Sequence, residues 1–244
     1  MSLTSLILGL AMVFAAGLIR GFTGFGLSIA AVPLLSLILP PSQAIPIVLL
    51  LQLLVSLSGL RAALQICHWP AIRTLALGAV IATPLGAWAL ARLPAAPVRI
   101  AIAASVLGAV FVLARGFRFQ AGAGRLALPF GLLSGLFNGL VGMPGPPVIA
   151  YFLMTPVGSA VARASMIVYF LATSIFALAP MAAFGLISLR SLAAAAIGFP
   201  VVMIGSALGG RMFHTSPEAR YRLVALCLLV VAAGLAGIRA LAAL

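Results

Sequence analysis

The chain has 244 residues, 65% of them apolar and only 6% charged, with a mean hydropathy of +1.34. A soluble domain carries roughly 25% charged residues, so a water-soluble fold is excluded for want of a polar skin. Disorder is excluded by the opposite excess, too much apolar surface to leave solvated. The partner implied is a lipid bilayer. At about 20 residues per crossing the whole length is taken up by membrane segments, and no extramembrane domain is expected. The 14 basic residues are all arginine, and Glu218 is the single acidic residue, for a net charge of +13. Arginines spaced singly between apolar runs are membrane-flanking anchors, not the clustered face of a nucleic-acid binder.

The first apolar run covers 3–19. It lacks a basic start and a small-residue cleavage site, so it reads as a retained membrane helix rather than a signal peptide. It ends at Arg20-Gly21-Phe22-Thr23-Gly24-Phe25-Gly26. A run over 27–39 follows, about 20 Å as a helix, too short for the hydrocarbon core, and stops at Pro40-Pro41. Further runs cover 43–60, 70–91 and 97–114. Residues 115–125, the most polar stretch, read as a cytoplasmic linker between a first membrane repeat (1–114) and a second (126–244).

The second repeat has the same plan. Its first run, 126–142, ends at Gly142-Met143-Pro144-Gly145-Pro146-Pro147, and a short run, 148–155, stops at Pro156. Runs over 160–183, 189–210 and 218–243 complete it. Pro33, Pro84, Pro180 and Pro200 are expected kinks. A shift of 118 residues lays Gly17, Gly21 and Gly24 on Gly135, Gly139 and Gly142, and Arg20 on Asn138. That match identifies an internal duplication. In each half the first two runs cross twice or form a re-entrant pair. Either way each half makes an odd number of net crossings, and the second is inverted. Arg61, Arg73, Arg115, Arg118, Arg125, Arg163, Arg211, Arg220 and Arg222 then face one side, and Arg92, Arg99, Arg190 and Arg239 the other. The richer side is cytoplasmic by the positive-inside rule, with both termini outside. Arg20, at the first break, is unassigned.

Irregular backbone survives at membrane depth only inside protein or beside a water-filled cavity. Two matching glycine-rich breaks in inverted halves therefore point to a secondary transporter with its site at the repeat interface. Broken helices offer free N–H groups and positive dipole ends, which favour anions. The fold class is thus all-α, a polytopic transmembrane bundle of two inverted repeats with broken or re-entrant helices. Candidate anion-binding residues are Arg20, Gly21, Thr23, Gly24 and Gly26 in the first half, and Asn138, Gly139, Gly142, Gly145 and Arg163 in the second. Each has a plainer reading. The glycines serve helix packing or line a ligand. Arg20 snorkels to the interface or supplies charge. Asn138 bonds a neighbouring helix, and Arg163 anchors topology. Gln52, Tyr169 and Thr173 bond to neighbouring helices or form a pore wall. Glu218, beside Arg220 and Arg222, favours a helix start rather than a transported cation. Two His, two Cys and one Glu, widely scattered, do not make a metal site; no cofactor is expected. An enzyme is disfavoured by the absence of Asp and of a nucleophile with its base. The alternatives to a carrier are a non-transporting membrane subunit and a passive anion channel.

At the two breaks the sequence resembles the sulfite exporter TauE/SafE family of membrane permeases. The resemblance is carried by Gly17 to Gly26 with Pro33-Leu34-Leu35, by Gly135 to Pro147, and by Arg163-Ala164-Ser165. A Gly-Gly pair is usual in the family's motifs; Phe25-Gly26-Leu27 and Pro144-Gly145 stand there instead. The resemblance implies movement of sulfite, organosulfonates or related small anions across a bacterial inner membrane, by rocking of one half against the other.

Overall fold

In the computed structural model, residues 3–23, 26–115 and 123–215 are described. They form ten helices: α1 (Leu3–Thr23), α2 (Leu27–Leu35), α3 (Pro41–Ser56), α4 (Leu60–Ile66), α5 (Trp69–Arg92), α6 (Ala95–Arg115), α7 (Ala123–Val141), α8 (Gly145–Leu153), α9 (Ser159–Ala183) and α10 (Leu189–Thr215). The expected run over 218–243, with Glu218, Arg220, Arg222, Cys227 and Arg239, lies outside the described residues.

The apolar runs become helices much as expected, with three differences. The first helix does not stop at Arg20 but continues to Thr23, because Gly21 is held against α10 and the turn around it is supported. The third run does not end in one helix. It bends by 73° between α3 and α4, where Gly59 takes a left-handed φ of 80° that other residues rarely adopt. The polar stretch 115–125 is helical at both its ends, since α6 includes Arg115 and α7 starts at Ala123. The helices α2, α5, α9 and α10 run on through Pro33, Pro84, Pro180 and Pro200.

Among the described residues five helices, α1, α5, α7, α9 and α10, are long and apolar enough to cross a membrane, with a sixth span if the bent α3–α4 pair counts as one. This is a multi-pass membrane protein. The two nine-residue helices α2 and α8 rise only about 13 Å, and they are the most deeply buried. Every residue of α2 except Leu34, and every residue of α8 except Leu153, is buried. The long helices surround them and turn Ile7, Ile81, Leu85, Ile204 and Leu189 outward, as lipid-facing side chains do. Inside and outside are thus both apolar, and the hydrophobic effect cannot choose helix partners.

Close backbone packing chooses them. The most extensive pairings are α5 with α7 and α1 with α10. A Cβ on Gly135 would sit 2.6 Å from the Ala79 carbonyl oxygen, and one on Gly17 would sit 2.7 Å from that of Val202. Gly131 and Gly139 press likewise on Leu75 and Thr83 of α5, and Gly21 on Ser206 of α10. Glycines four residues apart open a groove in which two backbones touch. Each pair joins the first long helix of one half to a later helix of the other. Two further pairings repeat the exchange, since α3 meets α10 as α9 meets α5.

Gly135→Leu should therefore separate α5 from α7, whereas Gly108→Leu, with nothing within 4 Å of the new Cβ, should be silent. Overpacking destabilises by about 1–3 kcal/mol. For a chain of this size that lowers Tm by roughly 2–4 °C per kcal/mol, measurable on detergent-solubilised protein. Equal Tm values for the two variants would refute the clamp.

Candidate functional site

The first break leads into α2 through Gly26, whose φ of 100° is left-handed and whose carbonyl accepts from Ala30 N–H at 3.2 Å. The second break begins at Gly142, with φ 66°. Its N–H closes α7 on the Asn138 carbonyl at 3.0 Å, a left-handed helix cap. The next helix starts with Gly145-Pro146-Pro147. The prolines fall in the first turn, where a helix has no use for an N–H.

The two breaks meet. One cleft is lined by Gly26, Ser28, Ile29 and Gln52 from the first half and by Pro144, Gly145 and Phe170 from the second. Its cavity volume is about 10 Å³, room for about one water. The N-termini of α2 and α8 both open onto it. First-turn N–H groups of a helix have no intrahelical acceptor, and the dipole places about half a positive charge there. Among the described residues no charged side chain is in its walls.

Each wall is buttressed differently. In the first half Gln52 Nε2 donates to Ser56 Oγ at 2.9 Å, and Ser28 Oγ lies at 3.5 Å from Gln52 Oε1. In the second, Tyr169 donates to Ser134 Oγ at 2.8 Å, and Ser134 donates to the Pro144 carbonyl at 2.7 Å. Tyr169 and Ser134 are fully buried, so this chain holds the break itself in place.

The expected site residues divide into three groups. Gly26 and Gly145 are in the cleft, and Gly142 shapes the turn that leads to it, packed on Ile45. Gly21 and Gly139 are not at the breaks. Both lie inside helices with their open face against another backbone, which leaves no space beside Cα for an anion. Arg20 Nη1 donates to Ser206 Oγ at 3.1 Å and Nη2 to the Val55 carbonyl at 3.0 Å. Asn138 is fully buried and donates to the Thr173 carbonyl at 2.7 Å, while its Oδ1 has no partner among the described residues. Arg163 is exposed on α9, within electrostatic reach of Arg20, and the two positive charges repel. Gly24 and the Thr23 side chain lie outside what is described. Near Arg163, Ser165 Oγ accepts from His68 N–H at 2.8 Å and donates to the Val161 carbonyl at 2.7 Å, tying α9 to the start of α5.

Ser28, Ile29, Pro144 and Phe170 were not singled out from sequence. A shift of 118 from Gln52 to Phe170 would have found the last. Of the polar groups noted inside apolar runs, Gln52 both bonds α2 and lines the cleft, and Tyr169 bonds α7. The Thr173 hydroxyl instead bonds carbonyls of its own helix, at 3.0 and 3.3 Å.

A family model described as sulfite exporter TauE/SafE matches residues 9–235, nearly the whole chain. No curated protein and no solved structure matches it. With an all-helical multi-pass bundle and a cleft where the two breaks meet, the chain belongs to the sulfite exporter TauE/SafE family, a family of membrane transporters for sulfite or related anions.

Proposed function

We propose that this protein is an alternating-access permease of the bacterial inner membrane, built from two inverted repeats. It moves sulfite, an organosulfonate or a related small oxyanion without a covalent step. The observation that carries this reading is the convergence of both breaks on one cleft. Ser28, Gln52 and the amide of Gly145 offer hydrogen bonds there, and Gly26 lets the backbone come close. Thr23 and Gly24, candidates from the sequence, are kept in the proposed site. Arg20 and Arg163 give the surroundings a positive potential but stand outside the cleft walls. Gly21 and Gly139 hold helices together and are left out of the site.

The narrowness of the cleft supports a carrier over a passive channel. Room for one water is too little for an oxyanion, so binding requires an opening motion. The glycine clamps suggest which bodies move. Halves locked to each other through α1–α10 and α5–α7 cannot part cleanly. Those two pairs instead act as arms that rock against a core of α2, α3, α8 and α9, exposing the cleft to either side in turn.

Purified protein in liposomes loaded with sulfite, sulfoacetate, taurine or sulfate should show saturable counter-flow with sulfite. Flux without counter-flow or saturation would favour a channel, and no flux with any of the four would favour a non-transporting subunit. Replacing Gln52 by Leu should raise the KM for the transported anion about tenfold or more, since a hydrogen bond to a charged group contributes about 1.5–3 kcal/mol. An unchanged KM would remove Gln52 from the site.

A further inference from the structure

Arg20 and Asn138 lie 118 residues apart, and their acceptors Val55 and Thr173 lie 118 apart as well. In each half the side chain donates to the matching backbone carbonyl, at 3.0 Å from Arg20 Nη2 and at 2.7 Å from Asn138 Nδ2. The wall residues Gln52 and Phe170 keep the same register. Each acceptor follows its wall residue by three positions on the same helix, about 4.5 Å along the axis. Donor, acceptor and wall thus coincide in both halves although no residue type does. What the two donors share is an N–H aimed at one carbonyl. Charge is not shared, for Asn138 has none.

We infer that Arg20 and Asn138 are a matched pair of positioning residues, each fastening one arm of the bundle to the core helix that carries the facing cleft wall. Arg20 joins α1 to α3, and Asn138 joins α7 to α9. The bond spans arm and core one turn from the cleft, where a rocking motion needs a fixed point. A carbonyl oxygen has two lone pairs, so an acceptor inside a helix can take the side chain without giving up its own helical bond. Arg20 also reaches Ser206 of α10, and so gathers three helices. This inference rests on the transport reading.

The test is sulfite uptake into proteoliposomes by wild type, Arg20→Ala, Arg20→Asn and Asn138→Leu, each checked for a monodisperse folded peak. Arg20→Ala and Asn138→Leu should lower the maximal rate about tenfold or more with the sulfite KM changed less than about threefold, the mark of a step other than binding. Arg20→Asn, the residue the second half itself uses, should restore a large part of the rate. A KM raised about tenfold in Arg20→Asn at an unchanged maximal rate would make Arg20 an anion ligand and overturn the pairing. So would an Asn138→Leu variant with wild-type kinetics. Should Arg20→Ala not fold, the other two variants decide. If wild-type protein moves no anion, the transport reading falls and this inference with it, whereas a KM effect in an active carrier removes the inference alone.

Discussion

A peptide group left unbonded in hydrocarbon costs several kcal/mol, and the architecture follows from where this chain breaks its helices. Both nine-residue helices, α2 and α8, are enclosed on almost every side. The long helices form the enclosure and take the contact with lipid. At the second break the irregular carbonyl of Pro144 is satisfied by Ser134, itself fixed by Tyr169. Interrupting a helix there is tolerated because the interior supplies a polar partner at that point.

Enclosure needs a force, and lipid removes the usual one. Apolar side chains gain nothing by leaving tails for a protein interior, so helices are held by close packing and by hydrogen bonds. Both devices are visible. Glycine grooves bring α1 onto α10 and α7 onto α5 closely enough that a methyl group would collide with backbone. Side chains then reach the carbonyls of α3 and α9. Because the clamps run between the halves and the carbonyl bonds run within them, the two halves are interlocked. A mechanism that parts one half from the other must break the closest helix contacts among the described residues. One that moves the clamped pairs as units keeps them.

Much of this was legible in the sequence because helices in lipid announce themselves by length and apolarity, and breaks by glycine and proline. The positions of α1, α2, α7 and α8 follow from Gly26, Pro40, Gly142 and Pro144 with small errors. The roles of Gly21 and Gly139 were not legible. A four-residue glycine spacing serves a helix groove and a ligand-lining turn alike, and only the partner backbone distinguishes them. The acceptors of Arg20 and Asn138 were hidden for a different reason. A backbone carbonyl is offered by every residue, so Val55 and Thr173 carry no mark of their part. The bend at Gly59 was hidden because a single glycine next to the last residue of the 43–60 run carries no mark of its left-handed φ.

The separation of charge from cleft has a physical logic of its own. A carrier must hold its anion firmly enough to strip some water and loosely enough to release it, as any conducting site must. A bare guanidinium in a dry cleft would bind an oxyanion through paired charge-assisted bonds, and release would become slow. Here the walls carry hydroxyl, amide and backbone donors, while Arg20 spends two of its donors on Val55 and Ser206. On the proposed transport reading, Arg20 and Arg163 act at a distance, attracting an anion through the potential they create without forming the bonds that would trap it. On that reading Arg20, its donors engaged by Val55 and Ser206, serves the anion from beside the cleft rather than as a wall of it.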